Sequence, residues 1–483
     1  MALTEDQILA QNPWWTNVAW RGADPHLVRL GEQPVRLLSG FAIELESALG
    51  GVHVLRGPRQ VGKTTALKLL VARALEQQRP ARSVIYLTLD LLEGQDQVAL
   101  VESVKRAKRL ARHDGASIVL LDEVTAIDRW QRGVKAIWDD GTIRGDVVVC
   151  TGSSAIDLQR GAAERLPGRR GEGSDHLLLP QSFAAFAQAV NGSIPKTPRL
   201  EIADLVSEAG QEVISEAHLH GPALRDALER FLLFGGLPAA VAEASLGVAE
   251  PSAATKRVLH DSLVSEVQRR GGSVPGAHAL LERVVRSLGS KTDWSKLARE
   301  MQVPLGRTPR RGPTSHTTLR DYVELLAGGY FLFIAYFWRN DSETNSLSNS
   351  KKVFFADPLL HTVALDHMPG RRPDVAALVE NAVGFALYRR YEDPGRLIES
   401  FVSPDRLHIW KTAKGGEVDF VAGPRQALDV VEVKYQSSID LRGASSVAKA
   451  HPGRPVVIAT KEDLAFRDGY ALIPAHLLLW ALG

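Results

Sequence analysis

The chain is poor in cysteine, in net charge and in long apolar runs, and each shortage excludes a class of protein. Its 483 residues include one cysteine, Cys150, which excludes an internal disulfide and is compatible with a reducing compartment. The formal net charge is only +2, so any case for a nucleic-acid partner depends on local patches. No apolar run reaches the ~18 residues needed to span a bilayer. The N-terminal segment 1–6 is acidic and lacks an apolar signal sequence, so we expect a cytoplasmic protein with no membrane partner.

A short segment, 57–64, matches the phosphate-loop pattern G-x-x-x-x-G-K-[ST] in full. An apolar strand precedes it and a helical run follows it, which is the context that the motif needs. Glycines let backbone N–H groups turn toward a β-phosphate, and the positive end of the following helix points at the same place. Lys63 would supply charge to the β- and γ-phosphates, and Thr64 would supply a hydroxyl for Mg²⁺. The predicted nucleotide-binding residues are Gly57, Pro58, Arg59, Gln60, Val61, Gly62, Lys63, Thr64 and Thr65.

Two further apolar runs, 117–121 and 146–150, end in polar residues that would face the triphosphate. Continuous apolar runs are typical of parallel strands buried on both faces, and open α/β sheets bind ligands at the carboxyl edge of their strands. At the end of the first run, Asp122 would hold Mg²⁺ through water and Glu123 would polarise the attacking water. After the second run, Ser153 would contact the γ-phosphate or the water. The alternatives are an acidic turn after the first strand and a plain helix cap after the second.

The order of signals predicts an α/β protein of four domains. Alternating strands and helices within 1–180 predict a P-loop core built on a parallel sheet, preceded by a lead-in segment. The helical pattern of 181–289 predicts a helical lid. Residues 290–356 are arranged as helix, turn, helix and strand–loop–strand, the order of a winged helix, which would contact either DNA or a protein. The fourth domain is 357–483.

A second group of candidate residues lies in this fourth domain. Two alternating runs, 417–421 and 428–435, have the spacing of a β-hairpin. Because side chains two positions apart share a face, Asp419 on the first strand would converge with Glu432 and Lys434 on the second. Two carboxylates can hold a divalent metal ion and a lysine can activate a water, which is the equipment of metal-assisted phosphodiester hydrolysis.

The elements around this hairpin favour a restriction-endonuclease-like α/β core. Residues 374–391 form an amphipathic helix on which Glu380 would add a further carboxylate to a Mg²⁺ or Mn²⁺ site. Together with the strands and the helix predicted up to residue 460, the order is α-β-β-β-α-β. The alternative is a surface salt-bridge pair on a β-hairpin.

Taken together, these segments resemble a large family of prokaryotic AAA-type ATPases that join a P-loop core to a C-terminal region of poorly known function. The resemblance implies a central winged helix and a C-terminal PD-(D/E)XK nuclease-like domain. It also implies that Arg169 is a catalytic residue that approaches a phosphate, in its own subunit or in a neighbouring subunit of a homo-oligomer. A charged loop is the other interpretation of Arg169. The matching segments are 57–65, 121–124 with Trp130, 151–154, 166–169, 235–238, 417–420 and 432–434.

The sequence therefore favours an AAA-type ATPase that binds and hydrolyses ATP with Mg²⁺. In the first hypothesis it acts on DNA through the winged helix and a metal-dependent nuclease-like domain. In the second hypothesis it is an ATP-dependent regulatory or defence switch that binds DNA or a protein partner without cleaving. In the third it is a P-loop scaffold with slow turnover and a protein partner.

Overall fold

The computed structural model describes most of the chain, and its contacts divide the described residues into two compact units. The first unit comprises the described residues from Met1 to Leu179, and the second comprises those from Pro180 to Gly483. None of the described helices is long and apolar enough to cross a membrane. The described residues are 1–33, 50–152, 158, 173–269, 271–301, 316–339, 344–391, 407–411, 417–422, 428–436, 453–467 and 469–483.

A sheet of parallel strands forms the centre of the first unit. The strands lie in the order β2-β3-β4-β1-β5, and each neighbouring pair is parallel. All residues of β1, β3 and β4 are buried, which is why β3 and β4 appear as nearly continuous apolar runs in the sequence. The predicted parallel α/β sheet is confirmed. The strands are Gly51–Arg56 (β1), Val84–Thr88 (β2), Ile118–Asp122 (β3), Val147–Thr151 (β4) and Asp175–Leu177 (β5).

The N-terminal lead-in packs along the edge strand β2. The indole Nε1 groups of Trp14 and Trp15 both donate to the carbonyl oxygen of Val84, at 2.9 and 3.0 Å. The side-chain amide of Asn12 donates to the carbonyl of Tyr86 at 2.8 Å and accepts from its N–H at 2.7 Å. These contacts cover an edge that would otherwise invite pairing with another chain. The helices of the first unit are Glu5–Gln11 (α1), Pro25–Glu32 (α2), Lys63–Glu76 (α3), Gln97–Ala111 (α4) and Trp130–Asp139 (α5).

From residue 183 to residue 328, the regular elements that the structure describes in the second unit are all helices. Three more helices accompany the strands that follow. The helices of the second unit are Phe183–Val190 (α6), Ile202–Leu205 (α7), Glu208–Ala217 (α8), Gly221–Phe234 (α9), Pro238–Ser245 (α10), Ala253–Arg269 (α11), Val274–Ser287 (α12), Trp294–Glu300 (α13), His316–Gly328 (α14), Pro358–Leu365 (α15), Val375–Tyr391 (α16) and Ala475–Leu482 (α17).

The Gly235-Gly236 pair, one of the segments behind the family resemblance, has a structural explanation. Gly235 has a φ of +68°, and a Cβ atom there would lie 1.8 Å from Oδ1 of Asp357. The N–H of Gly236 donates to Oδ2 of the same carboxylate at 2.7 Å, and its carbonyl accepts from the N–H of Gln181 at 2.7 Å. Burial raises the pKa of Asp357 to about 7, although two backbone N–H groups favour its charged form. The glycines therefore let the backbone after α9 approach a buried carboxylate at the start of α15.

A mixed sheet of eight strands completes the second unit, in the order β12-β13-β11-β10-β9-β8-β6-β7. The hairpin predicted around Asp419 is present, because β9 and β10 are antiparallel with Val421 opposite Val430. Strand β10 then pairs with β11 in parallel. The helix predicted over 441–449 lies outside the described residues. The strands are Leu332–Arg339 (β6), Thr344–Phe355 (β7), Leu407–Lys411 (β8), Glu417–Ala422 (β9), Asp429–Lys434 (β10), Val456–Thr460 (β11), Ala465–Arg467 (β12) and Tyr470–Pro474 (β13).

The strand pair predicted as the wing of a separate domain belongs to this sheet. Strands β6 and β7 form an antiparallel hairpin, and β6 pairs in parallel with β8 at Tyr336 and Phe337. Residues 332–338 are all buried, which suits an inner strand better than a solvated wing. The strands on both sides of the predicted boundary at 356/357 therefore form one sheet. The predicted turn of the winged helix, between α13 and α14, lies outside the described residues.

Candidate functional site

The segment 57–62 forms the turn from β1 into helix α3, which begins at Lys63. Gly57 and Gly62 have φ angles of +153° and +97°, which residues with a side chain rarely adopt. A Cβ atom at Gly57 would lie 2.1 Å from the carbonyl oxygen of Leu178, so only glycine fits there without a backbone shift. Gly62 has no side chain to cap α3, and the first amide groups of that helix keep their capacity to bind an anion.

Lys63 lies in the centre of this turn. Its side chain is buried, and Nζ donates to the carbonyl oxygens of Gly57 at 3.1 Å and of Pro58 at 2.9 Å. Burial lowers the pKa of Lys63 to about 8, and the nearby charges of Glu123 and Asp122 act in the opposite direction. A phosphate bound in the loop would add negative charge beside the ammonium and favour its charged form.

The side chains of Thr64 and Asp122 meet at the carboxyl edge of the sheet. The hydroxyl of Thr64 donates to Oδ2 of Asp122 at 2.8 Å, and the hydroxyl of Tyr86 donates to the same oxygen at 2.9 Å. The N–H of Glu123 donates to Oδ1 of Asp122 at 3.1 Å. Asp122 is 2% exposed, so these three donors fix the carboxylate in one orientation. A hydroxyl and a carboxylate are the hard oxygen ligands that Mg²⁺ prefers, and the residues present therefore fit this ion.

Tyr86 and two charged neighbours form a second layer behind this carboxylate, and the sequence analysis missed them. Burial and the charge of Asp122 raise the pKa of Tyr86 far above its usual value, so its hydroxyl stays protonated and donates. Nζ of Lys68 lies 3.7 Å from the centre of the Tyr86 ring and 3.5 Å from Oδ2 of Asp24. The sequence signal is a tyrosine in the middle of β2, but the pairing of β2 with β3 is needed to interpret it.

Glu123 follows directly after β3 and has a φ of +56°. A non-glycine residue held in this region marks local backbone strain, which is concentrated at functional sites. Of the two carboxylates whose charges raise the pKa of Lys63, Glu123 has the larger effect. Ser153 and Arg169, the other predicted residues of this site, lie outside the described residues.

The predicted carboxylates of the second unit also come together. The backbone N–H of Asp419 donates to Oε2 of Glu432 at 3.1 Å, and Oδ2 of Asp419 accepts from the N–H of Val433 at 2.9 Å. Nζ of Lys434 lies 2.5 Å from Oε1 of Glu432. Burial, followed by the charge of Asp419, raises the pKa of Glu432 to about 7. The same two causes raise the pKa of Glu380, on α16, to about 7.

A residue that the sequence analysis assigned to the wing, Lys352 on β7, lies among these carboxylates. Its side chain is 2% exposed. Nζ donates to Oε1 of Glu380 at 2.7 Å and to Oδ1 of Asp419 at 2.9 Å, and it lies 3.2 Å from Oε1 of Glu417. Burial by itself would lower the pKa of Lys352. The charges of Asp419 and Glu380 have the larger combined effect, so the pKa of Lys352 is raised above its usual value.

This arrangement does not fit the predicted metal ion of the second unit. The ammonium group of Lys352 lies between Glu380 and Asp419, two of the three carboxylates that would share the ion. A cation is already present at hydrogen-bond distance from both. We therefore derive no metal-dependent reaction at this carboxylate cluster.

The geometry of the first unit defines a class of protein. A phosphate loop joins strand β1 of a parallel sheet to a helix, and an acidic pair lies at the end of β3, which is separated from β1 by β4. Residues 50–187 match the family model described as "AAA domain". The first unit is therefore a P-loop domain of the AAA ATPase type. Residues 225–368 and 376–478 match two models described only as domains of unknown function, DUF8612 and DUF4143.

Solved structures resemble the chain over much of its length at low identity. A Walker-type ATPase of Pyrococcus abyssi is 16% identical, with 68% of this chain and 96% of that chain covered and a TM-score of 0.35. The Aeropyrum pernix ORC2 protein, in ADPNP–ADP complexes, is 13% identical, covers 69% and 94%, and has a TM-score of 0.36. The Aeropyrum pernix ORC1 protein in complex with DNA is 16% identical, covers 71% and 91%, and has a TM-score of 0.30. TM-scores this low carry no functional argument. A search among curated proteins found no match.

Proposed function

We propose that the first unit hydrolyses ATP with Mg²⁺ and that its nucleotide state controls the second unit. The observation that carries the proposal is the contact between Thr64 and Asp122, 2.8 Å apart, beside the buried ammonium of Lys63. Thr64 and Asp122 would hold Mg²⁺, which supplies positive charge to the β- and γ-phosphates when bound. A backbone turn, a lysine and two oxygen ligands are the parts that phosphoryl transfer needs for positioning.

The proposal gives a role to the phosphate loop and to the residues predicted or found around it. Apart from Pro58, which has no N–H, the residues of 57–65 would surround the β-phosphate with backbone N–H groups, and Lys63 would exchange its two carbonyl acceptors for phosphate oxygens. Tyr86 holds Asp122 in the orientation that suits the metal. Glu123, held with a φ of +56° directly after β3, would polarise the attacking water and accept its proton. Ser153 and Arg169 keep their predicted roles in the proposal: Ser153 would contact the γ-phosphate or the water, and Arg169 would approach a phosphate within one subunit or across a homo-oligomer.

The test is ATP turnover by the full chain and two variants. Lys63→Ala removes the charge at the phosphates, so we expect ATP binding and turnover to be lost together. Glu123→Gln keeps the shape but removes the base, so we expect ATP to bind normally while turnover falls by about 100-fold or more. Turnover that persists in Lys63→Ala would contradict the assignment of the loop.

For the second unit we infer a nuclease-like fold that binds DNA without cutting it. The convergence of Asp419, Glu432, Lys434 and Glu380 supports a nuclease-like fold. The position of Lys352 between two of the carboxylates supports the absence of cleavage, because a divalent ion would have to displace a buried ammonium. This is the ATP-dependent switch hypothesis, with DNA as the first partner to test.

Linear and supercoiled DNA should be incubated with the full chain, Mg²⁺ or Mn²⁺, and with or without ATP. We expect salt-dependent binding and intact DNA. Cutting by the wild type that is lost in Asp419→Ala would establish the second candidate function, a metal-dependent nuclease. If DNA does not bind at any salt concentration, the partner is a protein and the inference about DNA is wrong.

A further inference from the structure

Three histidines from separate helical segments of the second unit form a cluster that neither candidate site uses. His260 lies on α11, His278 on α12, and His367 just after α15. Nε2 of His260 is 2.8 Å from Nε2 of His278, and the ring centres of His278 and His367 are 4.1 Å apart. Among the described residues, this is the only group of three or more histidine, cysteine or acidic side chains whose ligand atoms all lie within 4.8 Å of one another.

The spacing suits a tetrahedral ion. Zn²⁺ binds imidazole nitrogens at about 2.0–2.1 Å, so two nitrogens on one ion lie roughly 3.3–3.5 Å apart. The observed separations, 2.8 Å for one pair and at most 4.8 Å for the others, bracket that value. Small rotations of the three rings would therefore bring one nitrogen from each to a common ion.

The protonation of the rings also suits a metal ion. Burial, followed by the neighbouring rings, lowers the pKa of His278, and burial and His260 lower that of His367. Neutral imidazole is the form that binds metal ions. Nδ1 of His260 is 2.9 Å from Oδ1 of Asp261, and this hydrogen bond assigns the proton to Nδ1 and leaves the lone pair of Nε2 facing the cluster.

Two further features of the surroundings support the cluster. An ion pair between Lys256 and Asp366, with an N–O distance of 2.8 Å, ties helix α11 to the residue before His367. His367 also lines a cavity of about 820 Å³, whose charged lining residues are Arg286, Arg371, Arg372 and Glu282, the last of which pairs with Arg286.

We propose that His260, His278 and His367 form a binding site for a divalent transition-metal ion of the zinc class. The ion replaces the hydrogen bond between the first two rings, and His278 moves its proton to Nδ1. Three protein ligands leave one tetrahedral position for water or for an anion drawn by the arginines of the cavity. The ion links α11 and α12 to the segment after α15 and stabilises the second unit.

The test is a titration of the untagged, chelator-treated full chain with Co²⁺ in the absence of nucleotide. We expect one equivalent to bind with the visible absorption of tetrahedral cobalt, and Zn²⁺ to displace it and raise the melting temperature. His367→Ala should abolish the absorption, while His218→Ala, which removes an exposed histidine outside the cluster, should keep it. Asp261→Asn should weaken the affinity by about 10- to 100-fold.

His367 is exposed, so its removal is compatible with folding, and the melting temperature of the metal-free second unit reports the integrity of each variant independently. Absence of cobalt absorption at stoichiometric concentration in the wild type would overturn the proposal. Equal binding by the wild type and His367→Ala would do so as well. Either result leaves the ATPase proposal untouched, because Lys63 and Thr64 take no part in the cluster.

Discussion

Replacing Lys352 with methionine removes the ammonium group from the carboxylate cluster but keeps most of the buried side-chain stem. Glu380 and Asp419 then lose donors at 2.7 and 2.9 Å and are left facing each other in a buried position. Removing one partner from a buried ion pair costs about 3–5 kcal/mol in free energy of unfolding. For a unit of this size we expect the melting temperature of the second unit to fall by roughly 5–15 °C.

The size of this loss depends on pH. Burial and Asp419 hold the pKa of Glu380 at about 7 even with Lys352 beside it, and without the ammonium this pKa rises further. An acid whose pKa is raised in the folded state binds more protons there than in the unfolded chain. The loss of stability caused by ionising this acid in the folded state is therefore absent at low pH and grows as the pH rises. The difference in stability between variant and wild type should widen above pH 7 and narrow below it.

Thermal unfolding at two pH values, on either side of 7, measures the loss, and hydrogen exchange in β9 and β10 assigns it to the second unit. The matched control is a triple variant, Lys352→Met with Glu380→Gln and Asp419→Asn, which removes Lys352 together with the two carboxylates that accept its hydrogen bonds. We expect it to recover much of the lost stability, since replacing all the partners of a buried ion pair costs far less than removing one of them. A single variant as stable as the wild type at both pH values would refute the reasoning.

Three other predictions concern the first unit. Tyr86→Phe removes one donor to Asp122, a hydrogen bond to a charged group that contributes about 1.5–3 kcal/mol, so the Mg²⁺ concentration for half-maximal ATP turnover should rise several-fold. An unchanged requirement would contradict this role. ATP affinity measured by calorimetry should fall as the pH rises through about 8, because Lys63 loses its proton there in the free protein, and binding above that pH should take up a proton. Affinity that does not vary across this range would contradict the pKa assignment. Gly57→Ala places a Cβ atom 2.1 Å from the carbonyl of Leu178, so we expect nucleotide binding to be lost while the second unit keeps its melting temperature.

Features that depend on neighbouring positions in the chain could be predicted from the sequence. The phosphate loop is recognisable because the chemistry of a triphosphate requires glycines, a lysine and a hydroxyl at fixed spacing within one turn. Buried parallel strands appear as apolar runs, which is how Asp122 and Glu123 were assigned to the carboxyl edge of the sheet. Alternation over a short hairpin brought Asp419 close to Glu432 for the same local reason.

Contacts between distant segments could not be predicted in this way. Lys352 lies 67 positions before Asp419, and the two meet only because β6 pairs with β8 and carries the hairpin of β7 into the same sheet. The apolar spacing of that hairpin fits a wing and a sheet edge equally well, so periodicity alone could not show that its strands join the sheet of β8 and β9.

The histidine cluster and the hydrogen bond from Tyr86 to Asp122 also depend on contacts between distant segments. His260, His278 and His367 are separated in the chain and share no motif, and only the packing of three helical segments brings their nitrogens together. Tyr86 reaches Asp122 through the register of two strands. The sequence by itself determined the nucleotide loop and the elements around it, since both depend on local spacing. The tertiary structure alone decided which charges are buried together, because that depends on which distant strands and helices pack side by side.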